Sequence, residues 1–293
     1  MGAARTGIRR PNGILSKTGI ELLALSNQLI TECRWIKVSD AELIFMLSNQ
    51  ELARYERQIL IPDWGKSGQR KLKKAKVLVA GAGGLGSAIL TYLAVAGIGN
   101  IRIVDSDKVE LGNLNRQVLH TDKDIGRYKV DSAKGKLELL NPDIKVEAIK
   151  AKITENNIFK LVEGCSIVDA LDNLPTRLLL NRAAIKAKLP LFHGAVYGFE
   201  GRATTIIPGK TSCLRCLYQD VLPGKIPVVG VTPAVIGCIQ ATEVIKYILG
   251  TGNLLEDRLL VYDGLSMKFS EVKLKKNRNC EDCGNTVNSV GGD

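Results

Sequence analysis

From Val77 to Ile101 there is no charged side chain, and four glycines fall within the six residues 81–86. An uncharged run of this length can cross a bilayer. The glycines favour a different reading: KVLVAGAG as a buried strand, GAGGLGS as carrying a tight Gly turn, and Leu85 to Ala96 as a buried helix. Gly81, Gly83 and Gly86 match G-x-G-x-x-G, with Gly84 inside the same turn. Missing side chains let backbone N–H groups approach a phosphate at the helix N-terminus. The next strand, IRIVDSD, ends in Asp105, 19 residues beyond Gly86, where a dinucleotide-binding unit places the acid for a ribose. Such a β–turn–α–β unit commits the chain to a mainly parallel sheet.

The rest of the pattern agrees. Ser48 and Glu51 stand at capping-box spacing, so a helix starts near Met46. A helix is expected over Lys129–Leu140, a strand within NPDIKVEAIKAKI, a helix in NIFKLVEG, a strand in SIVDALDN and a helix in PTRLLLNRAAIKAK. After Pro190 the alternation stops. LFHGAVYGFEGRATTIIPG reads as hairpin strands, TPAVIGCIQATEVIKYIL as a helix stopped by Gly250, and RLLVYDG and MKFSEVKLKK as late strands. The expected fold is α/β: a Rossmann-like, mainly parallel sheet with helices on both faces, continued by antiparallel strands in the C-terminal half. Residues 1–45 are basic and lack sustained periodicity, and are read as a poorly ordered extension of a domain over 46–293.

Composition narrows the function. The formal charge is +11, which attracts nucleic acid, acidic proteins or polyphosphates. The lysines are scattered, however, and aromatics are only 5%, a poor stacking surface for single strands. No secretory leader is recognisable, so the cytoplasm, where thiols stay reduced, is the expected compartment. The placement of the cysteines is then informative. Cys213–Cys216 and Cys280–Cys283 are two C-x-x-C pairs. Four thiolates satisfy tetrahedral Zn²⁺ and leave no open position, so a structural zinc is expected to tie the C-terminal tail to the segment after the hairpin. Cys33, Cys165 and Cys238 read as small buried hydrophobes.

One stretch does not suit a simple dinucleotide holder. DSDKVELGNLNRQVLH offers Asp105 and Asp107, then Asn113, Asn115, Arg116 and Gln117. With RYERQI at 54–59, GAGGLGS, GRYK at 126–129, DALDN at 169–173 and the paired C-x-x-C, it forms an ordered set of motifs. From about Ser48 to Gly284 the chain resembles the ThiF/MoeB/HesA family, which is similar to the adenylation domain of ubiquitin-activating enzymes. The resemblance implies an ATP-dependent adenylyltransferase. ATP and the C-terminal carboxylate of a small ubiquitin-like sulfur-carrier protein ending in Gly-Gly would give an acyl-adenylate and pyrophosphate, for molybdopterin, thiamine or tRNA thiolation.

The resemblance also implies roles. Asp105 holds the ribose, Asn113 and Arg116 contact phosphates, Lys129 adds a second cation, and Asn115 belongs to the same network. Asp107 holds the Asp105 loop or a metal-bound water. Asp172, with Asn173 beside it, is the acid linked to Mg²⁺. Arg57 reaches ATP from the other protomer, which implies a homodimer. Taken alone, Arg57 and Lys129 fit solvated helix faces, and Asp172–Asn173 fits a helix cap. Many relatives carry a cysteine in the crossover stretch. Here YQDVLPGKIPVVGV, residues 218–231, has none, and Ile226 stands about where the thiol would be. Sulfur transfer is therefore expected from a separate donor. The alternative acceptor is a tRNA-linked carboxylate or a peptide terminus. A nicotinamide oxidoreductase has no use for Arg57, Arg116 and Lys129 together.

Overall fold

The structure, a computed structural model, describes residues 46–218 and 227–284. The expected extension over 1–45, Cys33 and Ile226 lie outside the described residues. The chain is described from the capping box onward. The Ser48 side chain accepts from the Glu51 amide, and the Glu51 carboxylate accepts from the Ser48 amide at 2.8 Å, opening α1 (Asn49–Arg54). Two further helices follow, α2 (Glu56–Ile59) and α3 (Gly65–Lys74).

The alternating region then runs β1 (Lys76–Ala80), α4 (Gly84–Ala96), β2 (Asn100–Val104), α5 (Lys129–Leu140), β3 (Lys145–Ile149), α6 (Ile158–Val162), β4 (Ser166–Asp169) and α7 (Leu174–Ala187). Beyond it come β5 (Leu191–Tyr197), β6 (Glu200–Ile206), α8 (Leu214–Leu217), α9 (Val231–Leu249), β7 (Arg258–Asp263) and β8 (Lys268–Lys273). All eight strands join one sheet in the order β3-β2-β1-β4-β5-β6-β7-β8. The first five are parallel, and β5 to β8 are antiparallel. The antiparallel strands thus extend the same sheet. As expected, α9 stops at Gly250, which takes a left-handed conformation at φ +73°. Among the described residues, no helix is long and apolar enough to cross a membrane.

Strand alternation builds two cores. Val77 and Val79 of β1 face one layer with Leu93 of α4, Leu137 of α5 and Val244 of α9. Leu78 and Ala80 face the other, with Leu161 of α6, Leu180 of α7 and Leu214 of α8. A two-residue side-chain period on a strand buried on both faces requires this split. Each fully buried aliphatic side chain contributes about 1.5–3 kcal/mol.

β1 lies between β2 and β4, and the chain leaves it toward opposite edges in turn. The carboxyl ends of these strands therefore open a crevice at the switch point. Backbone contact closes its floor. Gly81 sits at φ +103°, and a Cβ there would lie 2.6 Å from the Ala170 carbonyl. A Cβ on Gly86 would lie 2.2 Å from the Gly81 carbonyl, backbone that cannot step aside. Gly86→Ala is accordingly expected to cost about 1–3 kcal/mol, read as a lower urea midpoint with unchanged slope. A wild-type midpoint would mean that α4 can back away from the turn.

Candidate active site

A cleft of about 920 Å³ occupies this crevice. Of the expected site residues, Gly81, Gly83, Gly84, Asp105, Asp107, Asn113, Arg116, Lys129, Asp172 and Asn173 all line it. Three do not. Gly86 lies one step into α4 and acts by packing on Gly81. Asn115 is exposed, and its side-chain oxygen accepts from Arg116 Nη1 at 2.9 Å, so it touches the cation rather than the cleft. Arg57 is exposed on α2 and is not part of its own chain's cleft.

The N-terminus of α4 points its free amides into the cleft, a setting suited to anions. Asp105 supports the turn before it: one carboxylate oxygen accepts from the Ala82 amide and the other from the Asp107 amide, each at 2.8 Å. Lys129, only 7% exposed at the start of α5, donates to Asp107 at 3.0 Å. Residues 105–128 form a long connection, and a connection of this length needs its own anchors to present side chains accurately. Glu110 and Asn113 cap a short 3₁₀ turn reciprocally. Arg116 Nη1 donates to the Gly112 carbonyl at 2.9 Å. Farther along, Asp124 accepts from Thr121, Arg127 and Lys136. Burial opposes its charge, but these donors outweigh burial and hold its pKa below the usual carboxylate range.

His120 props up the glycine turn from behind. Its Nε2 lies 2.9 Å from the Ala82 carbonyl, which can only accept, so Nε2 carries the proton. Nδ1 then accepts from Ser132 at 2.9 Å. Burial pushes the His120 pKa below the ordinary value of 6.5. His193 is also fully buried, with Nδ1 2.7 Å from Asp169, and burial lowers it as well. Burial works against the Asp169 carboxylate, yet Arg177 and the hydrogen bond from His193 keep its pKa below normal.

Sequence reasoning named Gln117 without giving it a role and missed other cleft residues altogether. Gln117 is 4% exposed, lines the cleft, and leaves its Oε1 without a partner. Lys152 and Arg177 also line it. Arg177 carried a legible signal. It stands in the first turn after the Asn173 cap of α7, where a cation opposes the helix dipole. Such a residue needs an anion elsewhere, and here it is Asp169, 3.5 Å from its Nε.

The cysteine pairs converge at the other side of α7. Their four Sγ atoms lie within 4.8 Å of one another. Cys213–Cys280 is 3.6 Å, Cys216–Cys283 is 3.5 Å and Cys213–Cys216 is 4.0 Å. Sulfurs about 2.3 Å from a tetrahedral ion lie roughly 3.8 Å apart, whereas a disulfide needs about 2.0 Å. The cluster therefore fits a metal ion rather than disulfides. Burial pushes the Cys213 thiol up to about 11. A cation would be needed to keep four sulfurs deprotonated there. Buried Asn181 of α7 ties both pairs together, donating to Asp282 and accepting from the Leu214 amide. Cys165 is buried as expected, but Cys238 is only half-buried.

A phosphate-type turn, a ribose-type acid and cations in one switch-point cleft define a nucleotide-using enzyme of the Rossmann-like class. The sequence model of the ThiF family matches residues 55–283, and the chain belongs to that family as an adenylyltransferase. It is 44% identical over 246 residues to the SAMP-activating enzyme E1 of Haloferax volcanii, covering 81% of this chain and 91% of that protein. It is 41% identical over 250 residues to the sulfur carrier protein adenylyltransferase of Thermus thermophilus, covering 81% and 92%. The crystal structure of E. coli MccB with AMPCPP and MccA shares the fold at TM-score 0.73 and 26% identity, over 82% of this chain and 76% of that one.

The chain has two histidines, both neutral in the fold. Below about pH 6.5 the unfolded chain binds protons that the folded chain does not. Stability should be full above that pH and fall as the pH drops toward the depressed folded values. The melting temperature is expected to be level from pH 8 to 7, to fall between 6.5 and 5, and to fall less steeply in His120→Asn. An unchanged slope in that variant would contradict a neutral buried His120.

Proposed function

We propose that the chain adenylates the C-terminal glycine carboxylate of a small ubiquitin-like sulfur-carrier protein ending in Gly-Gly. The carboxylate attacks the α-phosphorus of ATP. The bond to the bridging oxygen breaks, and pyrophosphate leaves with the electron pair. The observation that carries this reading is the meeting of Arg116, Lys129 and Asp172 in one cleft with the glycine turn and Asp105. A dehydrogenase needs the turn and the acid but no cations at a breaking phosphoanhydride. Charge grows on the pyrophosphate in the transition state, and fixed cations aimed at it lower the barrier most. In this reading Asp105 binds the ribose hydroxyls, Asn113 and Arg116 hold phosphate oxygens, and Lys129 shares its charge between Asp107 and the phosphates. Asp172, exposed and, among the described residues, paired only with Asn173 at 3.4 Å, is free to take Mg²⁺, with Asn173 beside it. Mg²⁺ held there would offset phosphate charge, and because that ion retains several waters, one carboxylate is a sufficient protein share.

The Haloferax and Thermus relatives named above carry SAMP activation and sulfur carrier protein in their names, which supports a carrier protein over a tRNA-linked carboxylate or peptide terminus. Arg57, exposed and without a hydrogen bond or ion pair among the described residues, is read as completing the partner protomer's site in a homodimer. A separate donor supplies sulfur. The cysteine cluster is read as structural Zn²⁺, in a cytoplasmic setting that keeps thiols reduced.

Two measurements test this. Asp172→Ala and Arg57→Ala should each abolish ATP–pyrophosphate exchange stimulated by the Gly-Gly protein, by at least about 100-fold. Mixing the two inactive variants should restore activity, because one site of each mixed dimer is then intact. Failure to complement would remove the shared site, and wild-type exchange in Asp172→Ala would remove the metal role. Separately, titrating the four thiols should release one zinc per chain, detected by a metallochromic dye, with loss of the cooperative thermal transition. Absence of released metal from the purified full chain would sink the zinc reading.

A further inference from the structure

The acid assigned to the metal sits on a turn that a buried polar chain holds from beneath. Leu171 immediately precedes Asp172, and both of its backbone polar groups are taken. Its amide donates to Asp169 Oδ1 at 3.0 Å, and its carbonyl accepts from Arg177 Nη2. The same guanidinium donates to the Gly194 carbonyl of β5 at 3.0 Å. Asp169 and Arg177 are therefore two ends of one clamp around the residue before Asp172. The clamp does not end there. Asp169 Oδ2 accepts from His193 Nδ1, so Nε2 of that neutral ring is an acceptor, and the Tyr218 hydroxyl donates to it at 2.9 Å. Tyr218 lies two residues beyond Cys216 of the cysteine cluster.

Burying such a chain has a cost that packing alone would avoid. An ionised carboxylate and guanidinium out of water repay their desolvation only with good geometry and full hydrogen bonding. Arg177 Nε lacks a hydrogen bond, because 3.5 Å to Asp169 makes an ion pair only. An aliphatic quartet would fill the same space at lower cost. What it could not do is grip the two peptide units that flank the Leu171 Cα. An exposed carboxylate on an ungripped turn would sample many positions, and a displacement of about 1 Å at a reacting centre costs up to about 100-fold.

We propose that Tyr218, His193 and Asp169 are positioning residues for the metal-binding acid: they fix the Leu171 peptide so that Asp172 meets Mg²⁺ bound with the nucleotide. The proposal rests on the reading of Asp172 given above. It also makes Tyr218, beside the cysteine cluster and outside the lining of the cleft, a determinant of metal use there.

The test reads nucleotide binding in full-length protein, apart from turnover. Calorimetric titration with a non-cleavable ATP analogue, in Mg²⁺ and in EDTA, yields the factor by which metal tightens binding. Tyr218→Phe removes only the terminal donor. His193→Asn keeps an N–H for Asp169 but, being shorter, has no acceptor at the Nε2 position that faces Tyr218. Both are expected to reduce the Mg²⁺ factor about ten-fold, with binding in EDTA and the melting temperature near wild type. The double variant should be no worse than either single one, since both break the same link. A full Mg²⁺ factor in either folded variant overturns the proposal. So does an equal loss in EDTA, or additive losses in the double variant, because these mark general damage. Should one variant fail to fold, the other decides. Asp172→Ala separates the two readings: if it keeps the full Mg²⁺ factor, the metal role of Asp172 has failed; if it loses the factor while Tyr218→Phe keeps it, only the positioning role has failed.

Discussion

Everything at the cleft depends on a contact between two pieces of backbone. The Gly81 turn rests against the Ala170 carbonyl so closely that a single methyl would not fit. That contact brings the end of β1 beside the end of β4. It therefore sets the α4 amides next to the turn that bears Asp172. Gly86 repeats the device one turn on, letting α4 close down on Gly81. The glycines shape the amide-lined turn, and they also decide how far Asp172 stands from it. Side-chain packing in the two cores then makes the arrangement rigid, since both layers press on β1.

Polar groups do the finer placement. Behind the glycine turn stands His120, beside it Asp105, and beneath the Asp172 turn the Asp169–Arg177 pair. In each case a buried or half-buried side chain satisfies backbone groups that a loop would otherwise leave to water. The consequence is electrostatic economy. Both histidines stay neutral, Asp124 and Asp169 stay charged, and Arg116, Lys129, Lys152 and Arg177 are cations lining the cleft. Their own contacts orient the first two: Arg116 is braced by Gly112 and Asn115, and Lys129 by Asp107.

Much of this was legible from the sequence, for local reasons. Two-residue alternation and short apolar runs marked the strands, and the capping box and Gly250 marked helix ends. The C-x-x-C spacing marked a metal-type cluster. Other parts were not legible. The sequence GKSGQRKLKK forms α3 although it buries only Gly68, Gln69 and Leu72, too narrow a stripe to stand out among lysines. His193 looked like an ordinary member of a strand, and although Arg177 stood out in the first turn of a helix, the partner of both, Asp169, lies on another element. Asn115 and Gly86 carried motif positions, yet the fold turns one to a neighbouring cation and the other to packing.

The sequence by itself determined the order of strands and helices, the phosphate-type turn and the residue types present for chemistry. These depend on interactions within a few residues, or on the absence of a Cβ. Only the tertiary structure decided which of those residues share a cleft. Sheet order, with β1 set between β2 and β4, places residues 81, 105, 129 and 172 together, and the pairing of strands distant in sequence leaves no trace in local pattern.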